Sequence, residues 1–308
     1  MDHLRRSGHL AADFRGTGGM SLGTAAQLFT VEQAARQRAA CGLWIDHALH
    51  TVTLETPFAR DYGRDALVTC ALAGAHLLSP VDFRDVWLVS GADGHVAWSA
   101  LVSGSHAGSS AAFGPASGRA VHALGGGAAR LIGGRVGDLY WFDDTLALTR
   151  AAGADPQHVA DALRLAEITP LGLDPAMDQR PIAGAALLPG APGWLAAWLS
   201  VLVQKRPDQV EGLYAAPATL TLTAGRSVAG ADAIARHWLA LLLALPDLRL
   251  WPERFMLEGD RAALLWRLSA TGPNGPVRNI PVLSMWQLEG GRIMAERLLL
   301  DEVSLLAR

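Results

Sequence analysis

Apolar residues recur at helical spacing through Val31, Ala34, Ala35, Cys41, Trp44, Ile45 and Ala48, which predicts one long amphipathic helix over 31–50. A short β-branched strand follows at 51–54, broken by Pro57, and a second helix spans 63–78, stopping at Ser79-Pro80. The pattern then turns to strands at 83–90, 95–103, 119–132 and 135–142, separated by turns such as Gly91-Ala92-Asp93-Gly94 and Gly133-Gly134. A short helix at 145–152 closes this stretch. Residues 155–192 are punctuated by prolines and carry one helical piece at 157–167, which reads as a linker.

The order of elements then recurs. Helices are expected at 194–204 and 232–245, with strands at 218–223, 249–257, 262–270, 281–288 and 292–299 and a short terminal helix. Individual residues match across the two halves. Gly63-Arg64-Asp65-Ala66-Leu67 aligns with Gly230-Ala231-Asp232-Ala233-Ile234, and Pro80 with Pro246. Gly134-Arg135-Val136 aligns with Gly291-Arg292-Ile293, and Asp144 and Asp301 each lie ten residues beyond their glycine. The chain thus reads as a leader (1–24), a first unit (25–154), a proline-rich linker (155–192) and a second, duplicated unit (193–308). Each unit has helices first and hairpin-linked strands after them. That order predicts an α+β fold of two tandem cones, each a curved antiparallel sheet with helices on its concave face.

Composition narrows the chemistry. Lys205 is the sole lysine among 26 basic residues of the 308, so Schiff-base chemistry and a Walker-type phosphate lysine are nearly excluded. Cys41 and Cys70 cannot build a four-thiolate zinc site. A net charge of −3 gives no footprint for nucleic acid. Arg5 and Arg6 are not followed by an apolar signal core, and no apolar run reaches membrane-spanning length, so a cytoplasmic protein without a membrane partner is expected. His47 and His50 with Asp46 have helical metal-ligand spacing but lack a third ligand, so no metal and no cofactor are expected. Gly16-Thr17-Gly18-Gly19 lacks the strand that a dinucleotide loop follows, and Gly125-Gly126-Gly127 reads as a bulge or bend.

Gly104-Ser105-His106-Ala107-Gly108, followed by Gly114-Pro115-Ala116-Ser117-Gly118-Arg119, resembles the GTH-x-G … G-x-PPTG-R run of SnoaL-like polyketide cyclases. Gly134-Arg135-Val136, Tyr140 and Asp144-Thr145-Leu146 are similar to the GRI … W … D-x-L ending of that family, part of the nuclear transport factor 2-like superfamily. The resemblance covers most of 31–153 and, more loosely, 193–308, where Thr271-Gly272-Pro273-Asn274-Gly275 replaces the histidine loop. It implies cofactor-free acid/base catalysis of a ring-closing aldol or related isomerisation on an apolar, carbonyl-bearing molecule. It places the acid/base role on Asp144, less directly on Asp301, and a pocket histidine at His106.

Period-two alternation puts Val136, Asp138, Tyr140, Phe142 and Asp144 on one strand face, which would carry Asp144 to an apolar inner wall and raise its pKa. Asp144 and Asp301 also stand where a strand meets a helix, so helix capping accounts for them equally well, with Asp143 exchanging roles with Asp144. His106 suits a pocket or an exposed turn. Arg130 could polarise a carbonyl or pair with Asp138. Trp98 and Trp266 occupy near-equivalent strand positions, as pocket walls with Tyr140 and Phe142 or as core filling. Three functions stay open: a cyclase or isomerase, a carrier of a hydrophobic small molecule, and a structural intramolecular pseudo-dimer with filled cavities, able to form a homodimer.

Overall fold

In the computed structural model, which describes residues 21–166, Leu188 and 191–306, the duplication is visible strand by strand. The first unit runs α1 (Ala25–Gln37), α2 (Leu43–His47), β1 (Ala48–Glu55), β2 (Arg60–Tyr62), α3 (Arg64–Leu77), β3 (Asp82–Ser90), β4 (His95–Ser105), β5 (Ala120–Ile132), β6 (Arg135–Phe142) and α4 (Thr145–Ala152). Helix α5 (Pro156–Ala166) follows, within the segment expected to be linker. The second unit runs α6 (Gly193–Val203), β7 (Tyr214–Thr221), β8 (Ser227–Ala229), α7 (Ala231–Ala244), β9 (Arg249–Glu258), β10 (Arg261–Gly272), β11 (Gly275–Glu289) and β12 (Arg292–Leu299), then a 3₁₀ turn. The sheets have strand orders β2-β1-β6-β5-β4-β3 and β8-β7-β12-β11-β10-β9, which are the same order. Most of the expected leader, and residues 167–187 of the linker, lie outside the described residues.

Three expectations need correction. The helix read over 31–50 is two helices: the chain turns at Ala39, which adopts φ 50°, and β1 already begins at Ala48. Both sheets are mixed rather than antiparallel, because β1 pairs with β6, and β7 with β12, in parallel. A short strand, a helix and three hairpin-linked strands separate these partners, so no tight turn forces them to oppose each other. Gly125, Gly126 and Gly127 sit in unbroken register with Ala100, Ser99 and Trp98. They permit close approach: a Cβ on Gly127 would meet the Trp98 ring at 2.2 Å, and one on Gly126 would meet Leu299 of the other unit at 2.7 Å.

Helix α1 starts with a capping box, Thr24 accepting from the Gln27 N–H while Gln27 reaches back, and buries one face from Ala25 to Arg36 against its sheet. Each unit has its own core between helices and sheet. The opposite sheet faces pack on each other: Val89, Leu124, Ala128 and Phe142 of the first unit meet Leu265, Leu283, Met285 and Leu299 of the second. Each large side chain so buried contributes about 1.5–3 kcal/mol.

Charged groups cross this seam. Glu55 and Arg267, both almost fully buried, form a two-pronged ion pair. Arg267 also donates to Glu253 at 2.6 Å and to the Asn279 carbonyl at 3.0 Å, while Arg60 reaches Glu55 at 2.7 Å. Removing one partner of such a pair strands the other charge in the interior. Arg267→Met is expected to lower the unfolding free energy by about 3–5 kcal/mol, and the double variant Glu55→Gln/Arg267→Met by clearly less than that. Urea denaturation of the three proteins measures the difference, and equal losses in single and double variants would contradict it.

Candidate functional site

Strand β6 decides which side chains enter the first cone. Opposite it, Leu131 pairs with Val136 and Arg130 with Asp138, so Gly137 is an extra residue that bulges out of the ladder. The bulge reverses the side-chain alternation. Val136, Leu139 and Trp141 therefore point into the cone, whereas Tyr140 and Phe142 point into the seam between the sheets. The single face expected to carry Val136, Tyr140, Phe142 and Asp144 together does not exist, and the cone receives Asp143 instead of Asp144.

Asp144 is a buried cap. Its carboxylate accepts from Ala147 N–H at 2.9 Å, starting α4, from Leu124 N–H at 2.9 Å, and from Ala224 N–H of the second unit at 2.5 Å. Burial pushes its pKa up to about 6, against those three donors. Asp301 caps the terminal 3₁₀ turn through Val303 and Ser304 N–H groups, and burial lifts it to about 7. His106 is fully buried at the end of β4. Its Nδ1 receives the Ser117 N–H at 3.2 Å, and the Ser117 hydroxyl donates onward to the Ala151 carbonyl, so the imidazole fastens the loop to α4. Burial lowers its pKa.

The other expected residues separate. Trp98 belongs to the first core and Trp266 to the second, where its indole N–H donates to Ser284 at 3.1 Å. Arg130 and Tyr140 come together, but in a groove between the sheets rather than in a cone. Arg130 stands opposite Asp138 in register. Among the described residues, no three His, Cys, Asp or Glu side chains gather as a metal site.

Two polar clusters inside the cones went unrecognised in the sequence. In the first cone, Glu32 and Arg36 sit one turn apart on the buried face of α1 and pair at 2.7 Å. Arg36 then reaches Asp143 at 2.6 Å and lies 5.0 Å from the centre of the Trp141 ring. Gly74 on α3 leaves room for the guanidinium, 3.5 Å from where a Cβ would stand. Asp143 is about one-third exposed (36%), so the cluster runs from solvent inward to Glu32. The second oxygen of Glu32 is buried and has no hydrogen-bond partner. Burial lifts Glu32 to about 7 against the pull of Arg36. Burial opposes the charge of Arg36, but Asp143 and Glu32 beside it hold its pKa above the ordinary guanidinium value. The i, i+4 spacing of Glu32 and Arg36 amid apolar positions was the available sequence signal.

Tryptophan rings crowd the second cone. Trp198 makes edge contacts with Trp238, Trp266 and Trp286 at centroid distances of 5.8, 6.1 and 5.0 Å, and Trp194 closes on Trp286 at 5.3 Å. Among these rings the Trp198 indole donates to the Tyr214 hydroxyl, and Tyr214 donates to Glu296. Glu296 is fully buried, and its pKa is pushed up to about 8 by burial.

These environments give two expectations. Asp144→Ala leaves three backbone N–H groups without their acceptor, so it should cost about 2–3 kcal/mol of stability in denaturant titrations. A loss within experimental error would remove the capping role. Glu32, Asp144, Asp301 and Glu296 all hold their protons more tightly when folded than their ordinary values of 3.8 to 4.5. Through these four groups the native state binds more protons than the unfolded chain between about pH 4 and 8, so their contribution to stability falls as pH rises through that window, against a smaller opposite contribution from buried His106 and His237. Thermal melts should give a higher Tm at about pH 5.5 than at about pH 8, with Glu296→Gln flattening the upper part of the slope. A Tm that rises over this range contradicts the assignment.

Residues 195–296 match the model of the SnoaL-like domain. No curated protein matches the chain. Among solved structures, the chain is similar to a polyketide-cyclase-like protein from Sinorhizobium meliloti, with 21% identity over 35% of this chain and 94% of the other, at a TM-score of 0.31. It is also similar to a protein with a ketosteroid isomerase-like fold from Catenulispora acidiphila, at 16% identity, 37% and 90% coverage and a TM-score of 0.35. A third is an NTF2-like protein from Burkholderia pseudomallei, with 18% identity, 35% and 88% coverage and a TM-score of 0.33. The matched residues lie in the second unit, and the first unit repeats its strand order.

Proposed function

We propose that the first cone is the reactive half of a cofactor-independent cyclase- or isomerase-type protein acting on an apolar, carbonyl-bearing small molecule. The observation that carries this reading is the Glu32–Arg36–Asp143 line, whose innermost carboxyl oxygen is buried and unbonded. A carboxyl with a pKa near 7 can both take and return a proton at neutral pH. The ionised Glu32 removes a proton from the carbon next to the carbonyl, and the enolate charge falls to Arg36. In a ring closure, the enolate carbon attacks a second carbonyl and Glu32 returns the proton to the new alkoxide. Asp143 holds Arg36 in place from the solvent side. Asp144 is left to its capping task. The second cone serves as a structural half, since its interior is taken up by tryptophan rings.

Exchange of the α-protons of 2-tetralone in deuterated buffer, followed by NMR, tests the reading without knowledge of the natural substrate. The protein should accelerate exchange, with a rate that climbs as pH rises through about 7. Glu32→Gln should lower the accelerated rate by roughly 10²–10⁴-fold in protein that circular dichroism shows to be folded. Equal exchange in wild type and Glu32→Gln sinks the proposal.

A further inference from the structure

The seam between the two sheets has two sides, and the strand register matches them residue by residue. On one side the Arg297 guanidinium of β12 lies 4.1 Å from the Trp87 ring centre, donates to the Ser99 carbonyl and hydroxyl at 3.2 Å, and pairs with Asp85. Trp87 pairs with Ser99 in register, and its indole N–H also donates to Asp85 at 3.2 Å. A ring, a cation and a carboxylate thus close this side among themselves.

On the other side Tyr140 stands at the position of Arg297, since Tyr140 pairs with Glu55 as Arg297 pairs with Thr221. Arg254 pairs with Leu265 as Trp87 pairs with Ser99, and Pro252 falls at the position of Asp85. Ring and cation have therefore changed strands, and the carboxylate has become a proline. Arg254 donates to uncharged acceptors instead, the His95 imidazole at 3.2 Å and the Glu253 carbonyl at 2.8 Å. The Glu253 carboxylate is turned to Arg267 at 2.6 Å. A groove of about 520 Å³ opens here, with Arg130 entering from the first sheet and Arg254 from the second. Among the described residues neither guanidinium has a carboxylate as ion-pair partner. Tyr140 and Trp251 are aromatic walls of the groove, over an apolar floor that includes Ala128, Met256 and Leu265. Trp251 is 5% exposed, and its indole N–H is buried without a hydrogen-bond partner.

We propose that this groove binds an aromatic carboxylate, whose anion stands in for the carboxylate that Asp85 supplies on the closed side. Arg254 and Arg130, both exposed at the groove, take the carboxylate from opposite sheets, and the Trp251 and Tyr140 rings take the flat body. Asp138 shares a strand face with Arg130, directly opposite it in register, and competes with the ligand for that guanidinium. Glu253 is already matched by Arg267, so the lining sets two guanidinium groups against Asp138 alone. The site lies outside the first cone, so it stands whether or not Glu32 is reactive.

Calorimetric titration of the full-length protein with 2-naphthoate tests the proposal, with 2-naphthamide as the uncharged and 2-naphthylmethylamine as the cationic comparison. Naphthoate should bind saturably with a Kd below about 1 mM, the amide about tenfold more weakly, and the amine least. Raising salt to about 0.5 M should weaken naphthoate and leave the amide little changed. Arg254→Gln should weaken naphthoate about three- to tenfold and spare the amide. Asp138→Asn should tighten naphthoate by about twofold or more, because the competing anion is gone. Glu32→Gln should leave naphthoate binding unchanged, which separates this site from the first cone. Circular dichroism melts establish that the three variants fold. The proposal is overturned by absence of saturable naphthoate binding or by equal binding of the amide. It is overturned equally by an affinity unchanged in folded Arg254→Gln, weakened in Asp138→Asn or lost in Glu32→Gln.

Discussion

Each six-stranded sheet has helices on one face only, so its other face, carrying residues such as Leu124, Phe142, Leu283 and Met285, must be buried by something else. Here the other half of the same chain does it. Much of the rest follows from that constraint. Side chains that leave β6 toward the helices build a cone interior, and those that leave it the other way build the seam. Gly137 sets the division, since one extra residue in the strand exchanges the two sets. Asp143 and Asp144, adjacent in sequence, are thereby sent to different tasks.

The seam is not simply apolar. Arg267 and Arg297 lie within it with carboxylate partners, at positions where water cannot reach freely. Buried charge of this kind adds little net stability over well-packed apolar groups, but it penalises any other docking of the sheets. A slip of one strand position would leave Glu55 and Arg267 unpaired. Asp144 adds a directional link of another sort, because one of its three donors comes from the second unit. Helix α4 therefore begins on a carboxylate that also holds Ala224.

The duplication, the strand positions and the glycine turns were legible because they rest on local patterns: alternation, turn residues and landmarks in matching order. Short edge strands β2 and β8 were missed because three residues carry no readable period. The parallel pairings escaped because nothing local states which way a distant strand will run. The wrong face for Tyr140 and Phe142 came from counting by twos through a bulge at Gly137. Glu32 and Arg36 were passed over because charges on a helix ordinarily mark its wet side, and only the arrival of Asp143 from far along the chain explains them indoors. Asp144 is not on the cone wall expected of it; its capping alternative is realised.

Joining the halves in one polypeptide has a consequence for symmetry. In an assembly of identical subunits related by a two-fold axis, every substitution appears twice, so both edges of the seam must be open or both shut. Here Tyr140 and Arg297 occupy matching positions and differ. The chain has thereby escaped the even stoichiometry imposed on a true homodimer, and an odd number of openings per pair of sheets becomes attainable.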